Sequence, residues 1–395
     1  MPDFHDSVGP GIRFTVNACD ELSLPPGALV HSTDSNAFFV NGAGARIESS
    51  FGTTISTAGT VAIQTTNVAH NFGLHIFGTV RSSHENGKAV VLSGSGNTIL
   101  IDKGVENGAT LAGSIFASSI AIWLNGAVGN STSTVINKGN IYANTAVQND
   151  GSERAVFTNE GFVFADGVGA GQGAFVDFAG TNDIVTNTGT MYGNIFLGGG
   201  NDRFSTANGS FSGYVYGGDG NDTIIAGIGG DEFDGQNGND TLTGNRGVDQ
   251  IKGGAGNDTV TGGAGDDRLY GDANNDKLNG GVGTDRLWGG ANADTFIFNV
   301  APTIANCDFI YDFNRVDDTI QLENAVFKQI GAVGPLKATA FKLSTQVKDA
   351  DDRIIYNRAT GQIFYDADGS GPIAPANFVS LTTKPLITAA DFHVI

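Results

Sequence analysis

The chain has 395 residues and a formal net charge of −20, with 41 acidic against 21 basic side chains. That balance argues against nucleic acid or an anionic membrane surface as a partner, and no apolar run is long enough to make a transmembrane segment. The length accommodates two or three domains, and the two cysteines, Cys19 and Cys307, give no disulfide framework.

The opening MPDFHDSVGPGIRF lacks the basic start and apolar stretch of a cleavable export signal. Residues 1–34 read as an N-terminal cap. No proline occurs between residues 27 and 301. Proline removes a ladder donor and is excluded from central strands, so its absence fits one continuous stack of paired strands. Short alternating runs of Ile, Val, Thr and Phe replace any helical period. Within this stretch a loose repeat, G-x-apolar-aromatic-small, recurs at Gly113, Gly139, Gly161, Gly189 and Gly213. Asn137, Asn159 and Asn187 each precede one copy. The spacing suits one rung of a parallel β-helix, with the asparagines forming a hydrogen-bonded ladder at matching corners. This pattern resembles the passenger-type β-helices of bacterial surface proteins, over residues 35–196 and into the 213 copy.

From Gly217 to Ile297 the chain falls into nine consecutive nine-residue units. The sixth position is aspartate in all of them: Asp222, Asp231, Asp240, Asp249, Asp258, Asp267, Asp276, Asp285 and Asp294. A detached unit over 197–205 adds Asp202. The eighth position is always apolar, from Ile224 to Phe296. Glycine at positions one, two and four suits a tight turn that needs positive φ. The last three residues suit a very short strand with one inward side chain. Two units then close one coil, and units n and n+2 stack roughly 4.8 Å apart. Two unit charges at that separation repel by about 1 kcal/mol even in bulk water. The aspartate ladders therefore need a cation, and carboxylate plus carbonyl oxygens favour calcium. Units 235–243 and 244–252 lack the second glycine, and units 271–279 and 289–297 carry asparagine at position four. Those turns are expected to fit the pattern least well.

The unit G-G-x-G-x-D-x-U-x resembles the RTX, or hemolysin-type, nonapeptide of calcium-binding β-rolls. The resemblance implies several calcium ions held between turns one coil apart, with the ten aspartates above as ligands and seven sites as the ceiling. It also implies a metal-binding, secreted, extracellular protein of a Gram-negative bacterium that leaves the cell by type I secretion.

After residue 297 bulky residues return. Asp308 to Leu322 resembles the D-x-I-x-D-F-x-x-x-x-D-x-I-x-L segment that often follows RTX arrays. Residues 352–356 and 361–365 read as a β-hairpin about a glycine turn. Asp366 and Asp368 start a loop like that of an EF-hand but lack its twelfth-position glutamate. Residues 298–395 are thus expected to be a C-terminal β cap, and the terminal Asp391 to Ile395 is similar to an uncleaved type I secretion signal.

The whole reads as an all-β chain, a parallel β-helix solenoid (35–196) continuing into a calcium β-roll (197–297) on a shared axis. No catalytic motif stands out. None of the six histidines makes H-E-x-x-H, and no G-x-S-x-G elbow occurs. The expected role is structural or adhesive, toward a cell-surface polysaccharide or host surface. The alternative is a β-helix lyase or epimerase acting on polysaccharide, built on Asp150, Glu153, Glu160, Asp166, Asp177, Asp183 and Arg154.

Overall fold

The computed structural model describes residues 180–303, 305–344 and 349–395 throughout. Between 71 and 177 it describes 71–76, 79–82, 88–93, 96–106, 109–112, 114–125, 131–165 and 173–177, and before residue 71 only isolated strands. Nearly all regular structure is β, with two short 3-10 turns. Two compact units emerge, Met1–Asp219 and Gly220–Ile395.

The N-terminal unit is a three-sided parallel β-helix. One sheet has nine strands, from Ser7–Gly9 through Thr79–Ser82, Ser114–Phe116, Asn140–Ala143, Phe162–Ala165 and Thr190–Tyr192 to Ser210–Ser212. A second runs from Phe14–Val16 through Ile120–Leu124 and Thr145–Asn149 to Tyr214–Asp219, and a third from Glu21–Leu24 through Thr132–Asn137 and Arg154–Asn159 to Arg203–Ser205. Each rung supplies one strand to each side. Four of these strands, Ser7–Gly9, Phe14–Val16, Glu21–Leu24 and Leu29–Ser32, lie within residues 1–34, where the sequence suggests a cap. An antiparallel hairpin, Lys103–Glu106 with Ala109–Ala112, interrupts one rung.

Inward residues stack in register. Val80, Ile115, Ile141, Val163 and Met191 form one fully buried row. The expected asparagine ladder is present. Asn137 Nδ2 donates to Asn159 Oδ1 and Asn159 Nδ2 to Asn187 Oδ1, both at 2.7 Å. Asn187 Nδ2 ends the series on Thr206 Oγ1 at 3.0 Å. Each amide also donates to a backbone carbonyl four strands on, at Phe162, Thr190 and Ser210.

One sequence repeat is misplaced. Met191 pairs with Phe211, so Ser210–Ser212 takes the next place in the first sheet. The Gly213 copy instead enters the second sheet, where Val215 pairs with Ile195. The pattern of one inward apolar and one outward aromatic residue marks any outer strand of a solenoid, so it does not specify a side.

The C-terminal unit is a two-sheet roll of eighteen-residue coils. Thr223–Ile225, Thr241–Arg246, Thr259–Ala264, Lys277–Val282 and Thr295–Phe298 stack in parallel on one side. Glu232–Asn237, Gln250–Ala255, Arg268–Ala273 and Arg286–Ala291 stack on the other. Each coil sends one eighth-position side chain inward per sheet, and all are buried. The cap continues both sheets with Asp308–Ile310 and Thr319–Leu322. The expected hairpin joins Ile354–Asn357 to Gln362–Tyr365. Phe392–Val394 is a further parallel strand, beside Thr319–Leu322, with Phe392 and Val394 buried.

The asparagine ladder yields a prediction. Replacing Asn159 by Ala removes bonds to both neighbouring rungs and should destabilise the N-terminal unit by about 1–3 kcal/mol. Urea unfolding of the N159A chain beside the parent measures it. An unchanged midpoint would show that the ladder contributes nothing.

Candidate metal centre

The roll places its sixth-position aspartates at the corner before each strand. The register stacks them in two series, Asp222-240-258-276-294 and Asp231-249-267-285. In both, the backbone N–H of one aspartate donates to Oδ1 of the aspartate one coil on, at 2.7–3.0 Å. The cap ends both series with acids that the repeat pattern does not mark. Asp285 N–H donates to Asp308 Oδ1 at 2.9 Å, and Asp294 N–H to Asp318 Oδ1 at 3.0 Å.

The second oxygen behaves differently. Oδ2 of Asp240, Asp249, Asp258, Asp267, Asp276, Asp285 and Asp294 is buried and accepts no hydrogen bond. A buried carboxylate oxygen in that state is costly without a cation. Its surroundings are set by the glycine at position one. A Cβ added at Gly235 would collide with Asp240 Oδ2 of its own unit and with the Gly253 carbonyl of the next coil. The same pairing recurs at Gly244, Gly253, Gly262 and Gly271. Glycine at position one thus leaves space where a carboxylate and a carbonyl converge. Among the described residues no three His, Cys, Asp or Glu side chains converge on one point. Any metal shell here must therefore draw on backbone carbonyls, a hard-oxygen set of the kind calcium takes.

This corrects the conformational reading of the repeat. Positions two and four carry positive φ, but position one does not; its glycine serves close approach. The substituted turns keep the same backbone. Gln236, Asn245 and Asp272 at position two, and Asn274 and Asn292 at position four, have φ between 71° and 83°. The unit that departs is 226–234, in which no residue has positive φ. It has Ala226 at position one, where in the units at Gly235 to Gly289 an added Cβ would meet the Oδ2 of the unit's own aspartate. Asp231 Oδ2 accepts instead from Gly227 N–H at 3.4 Å.

Burial, reinforced by neighbouring carboxylates, raises the acidity range of these groups. Asp240, Asp249, Asp276 and Asp285 are pushed up from 3.8 to about 7. Asp231, Asp258, Asp267 and Asp294 are pushed up to about 6, and Asp308 goes well above its ordinary value.

In the N-terminal unit, Asp202 makes the same ladder bond, accepting from Asp183 N–H at 2.6 Å. Asp183 is buried and pushed up to about 6, chiefly by desolvation. It was legible as Asn182-Asp183, matching Asn201-Asp202, but a spacing of nineteen residues hides it from an eighteen-residue period. The described acids of the enzyme alternative have varied surroundings. Glu153 is buried and accepts from Gly96 N–H and Ser133 Oγ. Asp150 holds Trp123 Nε1 at 2.7 Å. Glu160 is exposed, Asp177 is buried, and Asp166 lies outside the described residues. Asp366 and Asp368 accept from the N–H groups of their own loop, at Gly369 and Ile373. Cys307 is a free thiol, and Cys19 lies outside the described residues.

A family profile for the RTX calcium-binding nonapeptide repeat matches four overlapping copies, at residues 208–242, 216–251, 243–278 and 261–296. The chain carries RTX calcium-binding repeats. No curated protein matches the chain. Among solved structures, the solution structure of the AlgE6R3 subunit from the Azotobacter vinelandii mannuronan C5-epimerase matches at 20% identity with a TM-score of 0.19, covering 44% of this chain and 77% of that one. Among the described residues no helix is long and apolar enough to cross a membrane.

The raised carboxyls fix a pH dependence for the RTX roll without metal. Their folded pKa values lie above the unfolded value near 3.8, so the folded roll holds more protons between about pH 4 and 7. Stability is then greatest at low pH and is lost as pH rises through 6–7. In chelator, the urea midpoint should be higher at about pH 5 than at about pH 8. A midpoint that climbs with pH would contradict the burial of these groups.

Proposed function

We propose that this is a secreted calcium-binding RTX protein whose roll folds on calcium outside the cell. The observation that carries the reading is the row of buried, unpartnered Oδ2 atoms, five of which, from Asp240 to Asp276, face a carbonyl of the next coil across a glycine. Calcium between those oxygens would neutralise the ladder, with the sixth-position aspartates and position-one carbonyls as ligands. Because an unfolded chain holds no preformed site, binding free energy becomes folding free energy.

Type I export fits this chemistry. The nine units carry fourteen acidic against five basic residues, so the roll repels itself and stays open where calcium is scarce. Beyond the cell, calcium would close it. The segment 392–394 is an internal strand of the folded roll, so a signal there is readable only before folding. We assign the β-helix unit to an adhesive or structural body, the nonapeptide coils that follow to the calcium roll, and residues 298–395 to its cap. The roles of Glu153 and Asp183 in backbone bonding favour the adhesive reading over the polysaccharide-modifying one.

Far-UV circular dichroism of the full chain, titrated with calcium and with magnesium as control, tests the proposal. A gain of β signal with calcium alone is expected; no gain would sink it. A second prediction concerns position one. Gly262→Ala should remove one calcium from the stoichiometry measured by calorimetry, and Ala226→Gly should add one. A Gly262→Ala chain that binds the full complement would show that the glycine space is not the site.

A further inference from the structure

The outer face of the first sheet carries a second feature. Register aligns Arg81, Phe116, Tyr142, Phe164 and Tyr192 in one outward row across five rungs. In a solenoid such a row normally closes on itself by stacking. The roll has that arrangement: Tyr270, Trp288 and Tyr311 stack at 4.5 and 4.4 Å with planes 10° and 12° apart, so both faces of Trp288 are covered. The N-terminal row starts the same way, with Phe116 and Tyr142 5.0 Å apart and 3° from parallel. It then breaks. Tyr142 next meets Phe162, at 44°, while Phe164 leans on Tyr192 at 57°. Phe164 and Tyr192 are left 40% and 42% exposed.

The break opens a groove of about 400 Å³ between Arg81, Phe116, Tyr142 and Phe164, rimmed by Ser118 and Asn144. Its floor is Ala117 and Ala143, the small residue that ends each copy of the sequence repeat. A larger side chain there would fill the groove, which gives that position a reason that packing of the core does not. Four rungs span about 14 Å.

We propose that this groove binds an acidic oligosaccharide, a chain of uronic-acid units. Tilted aromatic rings offer flat apolar surface to sugar C–H faces. The hydroxyl and amide rim supplies hydrogen bonds, and a mostly apolar cleft with a few placed polar groups is the usual form of a ligand site. Arg81 is exposed at one end of the groove, and its guanidinium suits a carboxylate. A cation so placed on a chain of net charge −20 gives local complementarity to an anion. An extended peptide fits less well, because the strands beneath pair with rungs on either side and offer no backbone edge. The proposal rests on reading the N-terminal unit as an adhesive body, and not on calcium-driven folding.

The test is calorimetry of the full chain with oligogalacturonates of increasing length at fixed free calcium, beside neutral cello-oligosaccharides. Affinity should rise with length up to roughly four sugars, one per rung. Arg81→Gln and Phe164→Ala, both at exposed positions, should each weaken binding about tenfold. Arg286→Gln, on the roll, should not. Circular dichroism of the same samples reports folding separately, so a folded chain that binds no uronate overturns the groove alone. Equal affinity for the neutral sugar, or loss in R286Q instead of R81Q, overturns it as well.

Discussion

The roll depends on one electrostatic problem. Every coil adds two carboxylates to buried stacks, and from Asp240 to Asp294 each carboxylate has one oxygen that accepts from the N–H of the previous coil and a second, buried, that accepts no hydrogen bond. Carboxylates only accept, so stacking more of them never supplies the missing donor. The cost grows with each coil until a cation enters. Glycine at position one leaves room beside each carboxylate, and the one inward apolar residue per unit at position eight fills a correspondingly small core.

The N-terminal unit also carries a ladder of a different group, at the corner that follows the strands of its third sheet. Asn137, Asn159 and Asn187 stack as the aspartates do, but an amide donates on one side and accepts on the other. Such a ladder closes on itself without metal. The two units therefore fold on different terms. A rung of the β-helix is complete when its neighbours arrive, whereas a coil of the roll has oxygens that its neighbours cannot satisfy.

Ala226 stands in the one unit of the nine consecutive ones that lacks a glycine at position one, and that unit loses both left-handed turn residues and gives Asp231 a changed partner. The detached unit 197–205 keeps both turn residues, Gly198 and Gly200, with Leu197 at position one. The glycines at two and four are less strictly needed, since Asn, Asp and Gln hold positive φ there. Space and backbone conformation are thus separate demands on glycine within one motif, space at position one of the roll units and positive φ at two and four.

The sequence by itself determined the nine-residue period, the aspartate series, the inward apolar position, the asparagine ladder and the cap hairpin. Each repeats at a fixed spacing or alternates about a glycine, and periodicity survives in one dimension. Tertiary structure decided the rest. Asp308, Asp318 and Asp183 join the ladders at spacings of 23, 24 and 19 residues, which no fixed period finds, because stacking aligns rungs in space whatever the loop between them. It also decided that the Gly213 segment enters the second sheet, and that Ala226 rather than Gln236 or Asn274 breaks the repeat. The groove beside Tyr142 belongs to the same class. Ring tilt is set by neighbours on adjacent rungs, and one row of aromatic residues in the sequence is compatible with a closed stack or an open cleft.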